Sequence, residues 1–153
     1  MLSKNIIEDV ISASLSTGGD FAEIFVEDKE NNSINMISGK IEKANKGRDY
    51  GVGIRILKGT NAIYAYTNDD SKSNLVKVAK KAAAALEGKN NKLKLDFNKK
   101  EYENKHIIKI YPGEKTQKNK VELMKEAYGY ANNYHDLISQ VVVNYLDQNQ
   151  NVL

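Results

Sequence analysis

Short alternating runs, joined by very short turns, constrain the fold of this chain more than any other sequence feature. The first run follows Asp20 and places Ala22, Ile24 and Val26 on one face of a strand. Further alternating or apolar runs lie at residues 34–37, 41–44, 50–57 and 62–67. A parallel crossover needs about a dozen residues, so strands joined by such short turns are expected to be antiparallel.

Polar clusters mark the expected turns between these strands. They lie at residues 31–33, 38–40, 45–49 and 58–61, and they are rich in Asn, Ser, Gly and Lys. Consecutive strands joined in this way form a meander.

Three segments have apolar residues at helical spacing. A helix is expected over about residues 4–17, with Ser3 as its cap. A second helix begins near residues 69–71 and ends at Gly88, and a third is capped by Thr116. The helices are expected to pack on the sheet through these apolar stripes.

The remaining segments complete an α+β order of helix, strands, helix, strand, helix, strand. Residues 89–105, dense in Lys and Asn, are expected to form a loop or a weakly paired strand. A short strand is predicted at residues 106–111, ending at Pro112, and a last alternating strand at residues 137–146.

The carboxy-terminal residues resemble an unfinished hairpin. An Asn-rich turn is expected to end at Asn151, and Val152 would begin a return strand that stops at Leu153. Without that return strand, residues 141–145 would form an unpaired edge, which natural proteins tend to protect. We therefore expect the natural protein to continue past Leu153.

Composition limits the class of protein. The chain has 23 basic and 20 acidic residues, a net charge of +3, and no Cys, which excludes disulfides and thiolate metal sites. Its only arginines are Arg48 and Arg55, whereas proteins that recognise nucleic acid usually favour Arg. The longest apolar runs fall far short of the roughly 20 residues of a membrane span, so we expect a soluble protein that is not exported.

Two motifs that suggest cofactors have simpler interpretations. Gly51 and Gly53 lie in a strand rather than before a helix, so close packing in a sheet is favoured over nucleotide binding. His106 and His135 are the only histidines and have no Cys or closely spaced His beside them, which favours surface or capping roles over zinc.

Two pairs of residues on strand faces remain open to a functional interpretation. Glu23 and Glu27 are placed either for acid–base chemistry or on a solvated face. Tyr64 and Tyr66 share one strand face and either contact a ligand or partner, or pack at the edge of the core. The Lys-rich segment 89–105 is interpreted as a solvated loop, with phosphate binding as the alternative.

Four sequence blocks stand in a characteristic order. The blocks are GGDFAEIF at residues 18–25, GKIE at 39–42, GVGIR at 51–55 and YAYTN at 64–68. This arrangement resembles the amino-terminal domain of the TldD/PmbA family, whose members are also named modulators of DNA gyrase. The resemblance covers about residues 18–88 and extends more loosely to residues 138–141. The last block looks more like TldD than PmbA.

The resemblance implies a cytoplasmic, bacterial zinc metallopeptidase that cleaves small unstructured peptides, including antibiotic precursors. It also implies a dimer, either of TldD with a PmbA/TldE-like partner or of two identical chains. In that family zinc is bound by a His-Glu-x-x-x-His helix and a distant Cys, and it polarises the scissile carbonyl and activates water. This sequence contains neither, so no catalytic or metal-binding residue is assigned to it. Residues 1–153 are expected to be a non-catalytic amino-terminal domain.

Such a domain would supply scaffold, dimer contacts and part of a peptide-binding chamber. An extended peptide that joins the sheet through main-chain hydrogen bonds would contact Arg55, Tyr64, Tyr66 and Asn68, which are our candidate site residues. The alternative is a free-standing interaction domain that binds protein or nucleic acid.

Overall fold

The structure, a computed structural model of the 153-residue chain, describes residues 2–86, 100 and 105–153. Three α-helices and a four-stranded antiparallel sheet in these ranges confirm the predicted α+β class. None of the described helices is long and apolar enough to cross a membrane. The elements are α1 (Lys4–Ser14), β1 (Phe21–Ile37), β2 (Lys40–Lys58), β3 (Asn61–Thr67), α2 (Lys72–Ala84), α3 (Gln117–Asn132) and β4 (Val142–Val152).

The described strands are arranged in the order β3-β2-β1-β4. β1 and β2 are joined by a two-residue turn at Ser38 and Gly39, where φ is 48° and 77°. Turns with positive φ at both central residues match the twist of antiparallel strands. β4 lies on the other side of β1, where Val26 and Leu153 exchange backbone hydrogen bonds of 2.9 and 3.0 Å. The first three strands therefore form the predicted meander, and β4 extends it next to β1.

Two polar clusters predicted to be turns lie inside long strands. Residues 31–33 continue β1, and residues 45–49 continue β2. Their polar side chains find partners within the sheet, as where Asn31 Nδ2 donates to Asp49 Oδ2 at 3.2 Å. The prediction of turns was wrong because Asn and Ser favour turns only locally, whereas pairing with a neighbouring strand determines the conformation here.

The predicted strand at residues 106–111 is also wrong. These residues form no strand in the described part of the chain, and they lead into a short 3-10 turn at Pro112–Glu114. Proline fixes φ and removes a backbone donor, which suits the start of such a turn. Gly88 and nearly all of the loop expected at residues 89–105 lie outside the described residues.

The last strand differs from its prediction at both ends. β4 begins at Val142 instead of Leu137, and it continues through Asn151 to Val152. The predicted Asn-rich turn and the return strand after it are therefore wrong. The backbone pairing of Leu153 with Val26 keeps the end of the chain in the sheet.

The described residues divide into two compact units. The first unit contains residues 2–28, 50–86, 100 and 151–153, and the second contains residues 29–49 and 105–150. Each unit has a hydrophobic cluster of its own.

In the first unit, α1 and α2 pack on strand residues. Both helices bury residues at helical spacing, and β2 buries the alternating Val52, Ile54 and Ile56. Burying one Val, Leu or Ile side chain contributes about 1.5–3 kcal/mol to the stability of the fold. The cluster includes Val10 and Ala13 of α1, Leu75, Ala79 and Ala83 of α2, and Val52, Ile54 and Ile56 of β2.

In the second unit, α3 packs on β1 and β4. Met124 of α3 is buried with Ile34 and Met36 of β1. Thr116 begins the helix as predicted, because its Oγ1 accepts a hydrogen bond from the Asn119 backbone N–H at 3.2 Å.

Candidate functional site

An exposed aromatic surface lies on the sheet of the first unit, on the side opposite its hydrophobic cluster. Tyr64 and Tyr66 of β3 are 63% and 80% exposed, whereas the alternating Ile63 and Ala65 pack against the cluster. The period of two in β3 thus turns both tyrosine rings away from the core.

The neighbouring strand β2 supports one of these rings. Tyr64 lies opposite Arg55, and Tyr66 lies opposite Gly53. A Cβ atom at Gly53 would meet the Tyr64 hydroxyl in a severe clash and lie 3.0 Å from Cζ, so the ring lies over the glycine. Close packing within a sheet therefore explains Gly53, as the sequence favoured.

Arg55 extends this surface to β1. Its Nε lies 2.6 Å from Glu23 Oε1, and both side chains are nearly half exposed. An exposed ion pair of this kind contributes at most about 1 kcal/mol, so its main effect is to hold the guanidinium in place. Phe21 and Phe25 share the strand face of Glu23 and are 46% and 43% exposed. We call these six residues the aromatic face: Phe21, Glu23, Phe25, Arg55, Tyr64 and Tyr66.

Asn68, the fourth predicted contact, follows β3 in an exposed bend. The turn around it is fixed by its neighbours: Asp69 Oδ1 accepts from the Ser71 backbone N–H at 2.9 Å, and Asn74 Nδ2 donates to Thr67 Oγ1 at 3.0 Å. Hydrogen bonds from the backbone and side chain of Ser71 lower the pKa of Asp69. The structure thus groups Arg55, Tyr64 and Tyr66 on one face and places Asn68 just beyond the end of β3.

The described residues provide no set of metal ligands. They contain no group of three or more His, Cys, Asp or Glu side chains placed to hold a metal ion. His135 Nδ1 instead accepts a hydrogen bond from the Leu137 backbone N–H at 3.1 Å. The zinc implied by the family resemblance does not fit these residues, and no chemical step through zinc is assigned to them.

The second unit contains a buried polar cluster that the sequence analysis did not predict. Lys120 Nζ lies 2.6 Å from Asp147 Oδ2, and their side chains are only 7% and 15% exposed. Asn32 Nδ2 donates to the same carboxylate oxygen at 3.2 Å, and the Lys120 ammonium lies 5.6 Å from the centre of the Tyr145 ring. One sequence signal was present, because Lys120 occupies the apolar stripe of α3, four residues before Met124.

The cluster changes the protonation equilibria of two side chains. Burial alone would raise the pKa of Asp147, but hydrogen bonds from Lys120, Asn32 and Tyr145, together with the charge of Lys120, hold it below its ordinary value. Burial raises the pKa of Tyr145, and the neighbouring Asp147 carboxylate raises it further. The carboxylate is therefore kept ionised and the phenol neutral.

A cleft of about 330 Å³ lies beside this cluster within the second unit. We call it the amide cleft, because Asn31, Asn32, Gln117 and Asn149 contribute to its walls. A shallower depression of about 490 Å³ shares Asn31, Asn32 and Asp147 with it.

Comparison with known proteins finds a family match for part of the chain. Residues 22–86 match the family described as PmbA/TldA metallopeptidase domain 1. No curated protein sequence matches the chain.

Solved structures show the same fold. A protein of Bacteroides thetaiotaomicron named a modulator of DNA gyrase superposes on 99% of the chain with a TM-score of 0.73 and 14% identity. A Thermotoga maritima protein named in the same way superposes on 86% of the chain with a TM-score of 0.55 and 13% identity. TldE of Thermococcus kodakarensis superposes on 98% of the chain with a TM-score of 0.57 and 16% identity.

The chain spans 36%, 34% and 34% of these three proteins, about a third of their length. At such identities the likeness shows the fold alone, and the TldD-like branch stays a prediction. The match of residues 22–86, together with this fold, confirms the predicted resemblance to the first domain of the TldD/PmbA family.

Proposed function

We propose that this chain is the non-catalytic amino-terminal part of a cytoplasmic, TldD-type zinc metallopeptidase that cleaves small unstructured peptides. The family match supports this proposal, because the matched domain is described as metallopeptidase domain 1. The zinc ligands and the reacting groups would belong to another part of the protein, since the chain lacks Cys and the His-Glu-x-x-x-His motif.

The observation that carries the proposal is the aromatic face. Two tyrosine rings that are 63% and 80% exposed lie beside a fixed guanidinium. Exposed aromatic and Arg side chains are typical of binding surfaces, because they offer large contact areas and few rotatable bonds.

The position of β3 favours an extended peptide as the occupant. β3 is an edge strand of the described sheet, so the backbone groups on its outer side can pair with an added strand. Main-chain pairing is tolerant of peptide sequence, and the rings of Tyr64 and Tyr66 would cover its side chains. This mode suits a peptidase with broad specificity.

The same surface is the proposed place of partner contact. One of the structural relatives is a TldE protein, which supports an assembly of the TldD/TldE type. In this proposal the chain pairs with a PmbA/TldE-like subunit or with a second copy of itself.

The test uses the full-length protein with Tyr64→Ala and Tyr66→Ala combined. Losing two aromatic contacts should raise KM for a short peptide by about tenfold to thirtyfold and leave kcat nearly unchanged, because the rings bind but do not react. Steady-state kinetics measure both constants, and light scattering on the same samples reports dimerisation.

The matched control is Tyr130→Ala combined with Tyr134→Ala, which removes two similarly exposed rings of the second unit. The control should behave like the unsubstituted protein. If the Tyr64/Tyr66 variant keeps both its KM and its dimerisation, the aromatic face is not the contact surface.

A second candidate function is a free-standing interaction domain that binds another protein or nucleic acid. Exposed apolar residues around the 3-10 turn favour a protein partner: Ile107 is 88% exposed and Ile110 is 54% exposed. DNA affinity that falls steeply with salt would instead indicate nucleic acid, because phosphate contacts release counterions.

A further inference from the structure

The amide cleft is a polar cavity with the chemistry of a binding site. Its lining includes Asn32 and Asp147, which are mostly buried, and Asn149 together with the exposed Lys46 and Lys115. The only aliphatic side chain among its lining residues is that of Pro112. A cleft of about 330 Å³ whose lining residues carry many amide and charged groups offers hydrogen bonds and charge to a small polar ligand.

The ammonium groups of Lys46 and Lys115 in the cleft are available to bind an anion. Lys120 is engaged with Asp147 at 2.6 Å. Lys46 and Lys115 have no ion pair in the described part of the chain, and one further carboxylate, Glu30, lines the cleft. Like charges that share a cleft repel each other, so an anion bound between these two lysines would be stabilised.

Two amide side chains of the cleft hold its wall in place, and a third is available to bind a ligand. Asn32 and Gln117 hydrogen-bond each other at 3.3 Å, which fixes this wall of the cleft. The side chain of Asn149 has no such bond within the described residues, so its oxygen and nitrogen are both available. One primary amide can accept from the N–H of a peptide group and donate to its carbonyl.

We propose that the amide cleft binds the carboxyl end of a short peptide. Lys46 and Lys115 pair with the terminal carboxylate, and Asn149 hydrogen-bonds the last peptide group. A nucleic acid is disfavoured, because the lining contains no aromatic ring or Arg on which a base could stack. The proposal takes peptides as ligands from the proposed function, but its site is separate from the aromatic face.

The test measures binding of the N-acetylated tripeptide Ac-Gly-Ser-Ala to the 153-residue chain by nuclear magnetic resonance titration. The free acid should bind in the millimolar range, since exposed ion pairs are individually weak. Its carboxamide should bind about tenfold more weakly, because it lacks the charge that the lysines recognise. Backbone amide signals of Lys46, Gln117 and Asn149 should shift on titration.

Lys46→Ala combined with Lys115→Ala should lower the affinity for the free acid by about tenfold. The matched control, Lys77→Ala with Lys80→Ala, makes the same charge change on the exposed side of α2 and should leave the affinity unchanged. Signals of residues outside the cleft show that each variant is folded.

Three outcomes would overturn the proposal. These are equal affinity for acid and carboxamide, unchanged affinity in the Lys46/Lys115 variant, and acetate binding as tightly as the peptide. The two proposals can fail separately. Peptide binding in the amide cleft can be absent while the Tyr64/Tyr66 variant still loses cleavage, and peptide can bind in the cleft while that variant cleaves normally.

Discussion

Lys120 and Asp147 form a buried ion pair in the second unit. Each side chain contributes to the stability of the fold only while the other is present. Two charges that are mostly removed from water are costly unless they remain paired and hydrogen-bonded. Asn32 completes the set by donating to the same oxygen of Asp147.

We expect Lys120→Met to lower the free energy of unfolding by about 3 kcal/mol, because it leaves Asp147 buried without its partner. Urea denaturation measures the change. Lys118→Met, two residues earlier in α3 at a side chain that is 85% exposed, should change stability by no more than about 0.5 kcal/mol. Adding Asp147→Leu to Lys120→Met should restore much of the loss, and failure to do so would argue against an ion-pair effect.

We expect the ionisation of Asp147 to contribute to the pH dependence of the free energy of unfolding. Its pKa is lower in the folded chain than its ordinary value of 3.8, so the carboxylate's contribution is fully present above that value. The contribution is lost as the pH falls through 3.8 and then through the lowered folded pKa. Urea denaturation between pH 6 and 2 should therefore show a smaller acid loss in Asp147→Asn than in the parent, and equal losses would contradict the assignment.

Gly39 is the one turn residue whose replacement should be costly in two ways. Its φ is +77°, and an added Cβ would lie 3.0 Å from Tyr128 Cε1. We expect Gly39→Ala to destabilise the chain by about 1–2 kcal/mol in thermal or urea unfolding. Gly129→Ala, in the last turn of α3 with open space around it, should stabilise by up to about 1 kcal/mol. A neutral Gly39→Ala would show that the turn tolerates another geometry.

At the scale of elements, helices were more predictable than strand boundaries. The stripe of Met124 and Tyr128, together with the Thr116 cap, predicts α3 because both signals are local. The Asn-rich segments of β1 and β2 were misassigned because their structure depends on partners far away in sequence, such as Asp49 for Asn31.

The functional residues likewise differ in how far the sequence predicts them, depending on whether their signal is local. Alternation in β3 predicts that Tyr64 and Tyr66 share a face, and the structure adds Arg55 opposite Tyr64. The amide cleft was not predictable by such means. It combines Asn32, Lys115 and Asp147, which lie far apart in the sequence, and no short motif links them.

At the scale of the whole molecule, the family blocks carry more information than composition. Net charge, length and residue content describe only a globular chain, whereas the blocks predicted the family that residues 22–86 match. The division into two units was not predictable, because β1 and β2 supply residues to both units and no linker separates those residues in the sequence.

β4 brings a practical consequence for handling this chain in isolation. It is an edge strand of the described sheet, 11 residues long, without Pro, Gly or Lys, and its one charged residue, Asp147, is already paired. An edge whose single charge is already paired, with Gln and Asn at residues 148–151, is a template for strands of other molecules, the first step toward cross-β fibrils. Concentrated samples should therefore aggregate through this edge, and a lysine introduced at exposed Leu146 would act as a gatekeeper that keeps them monodisperse.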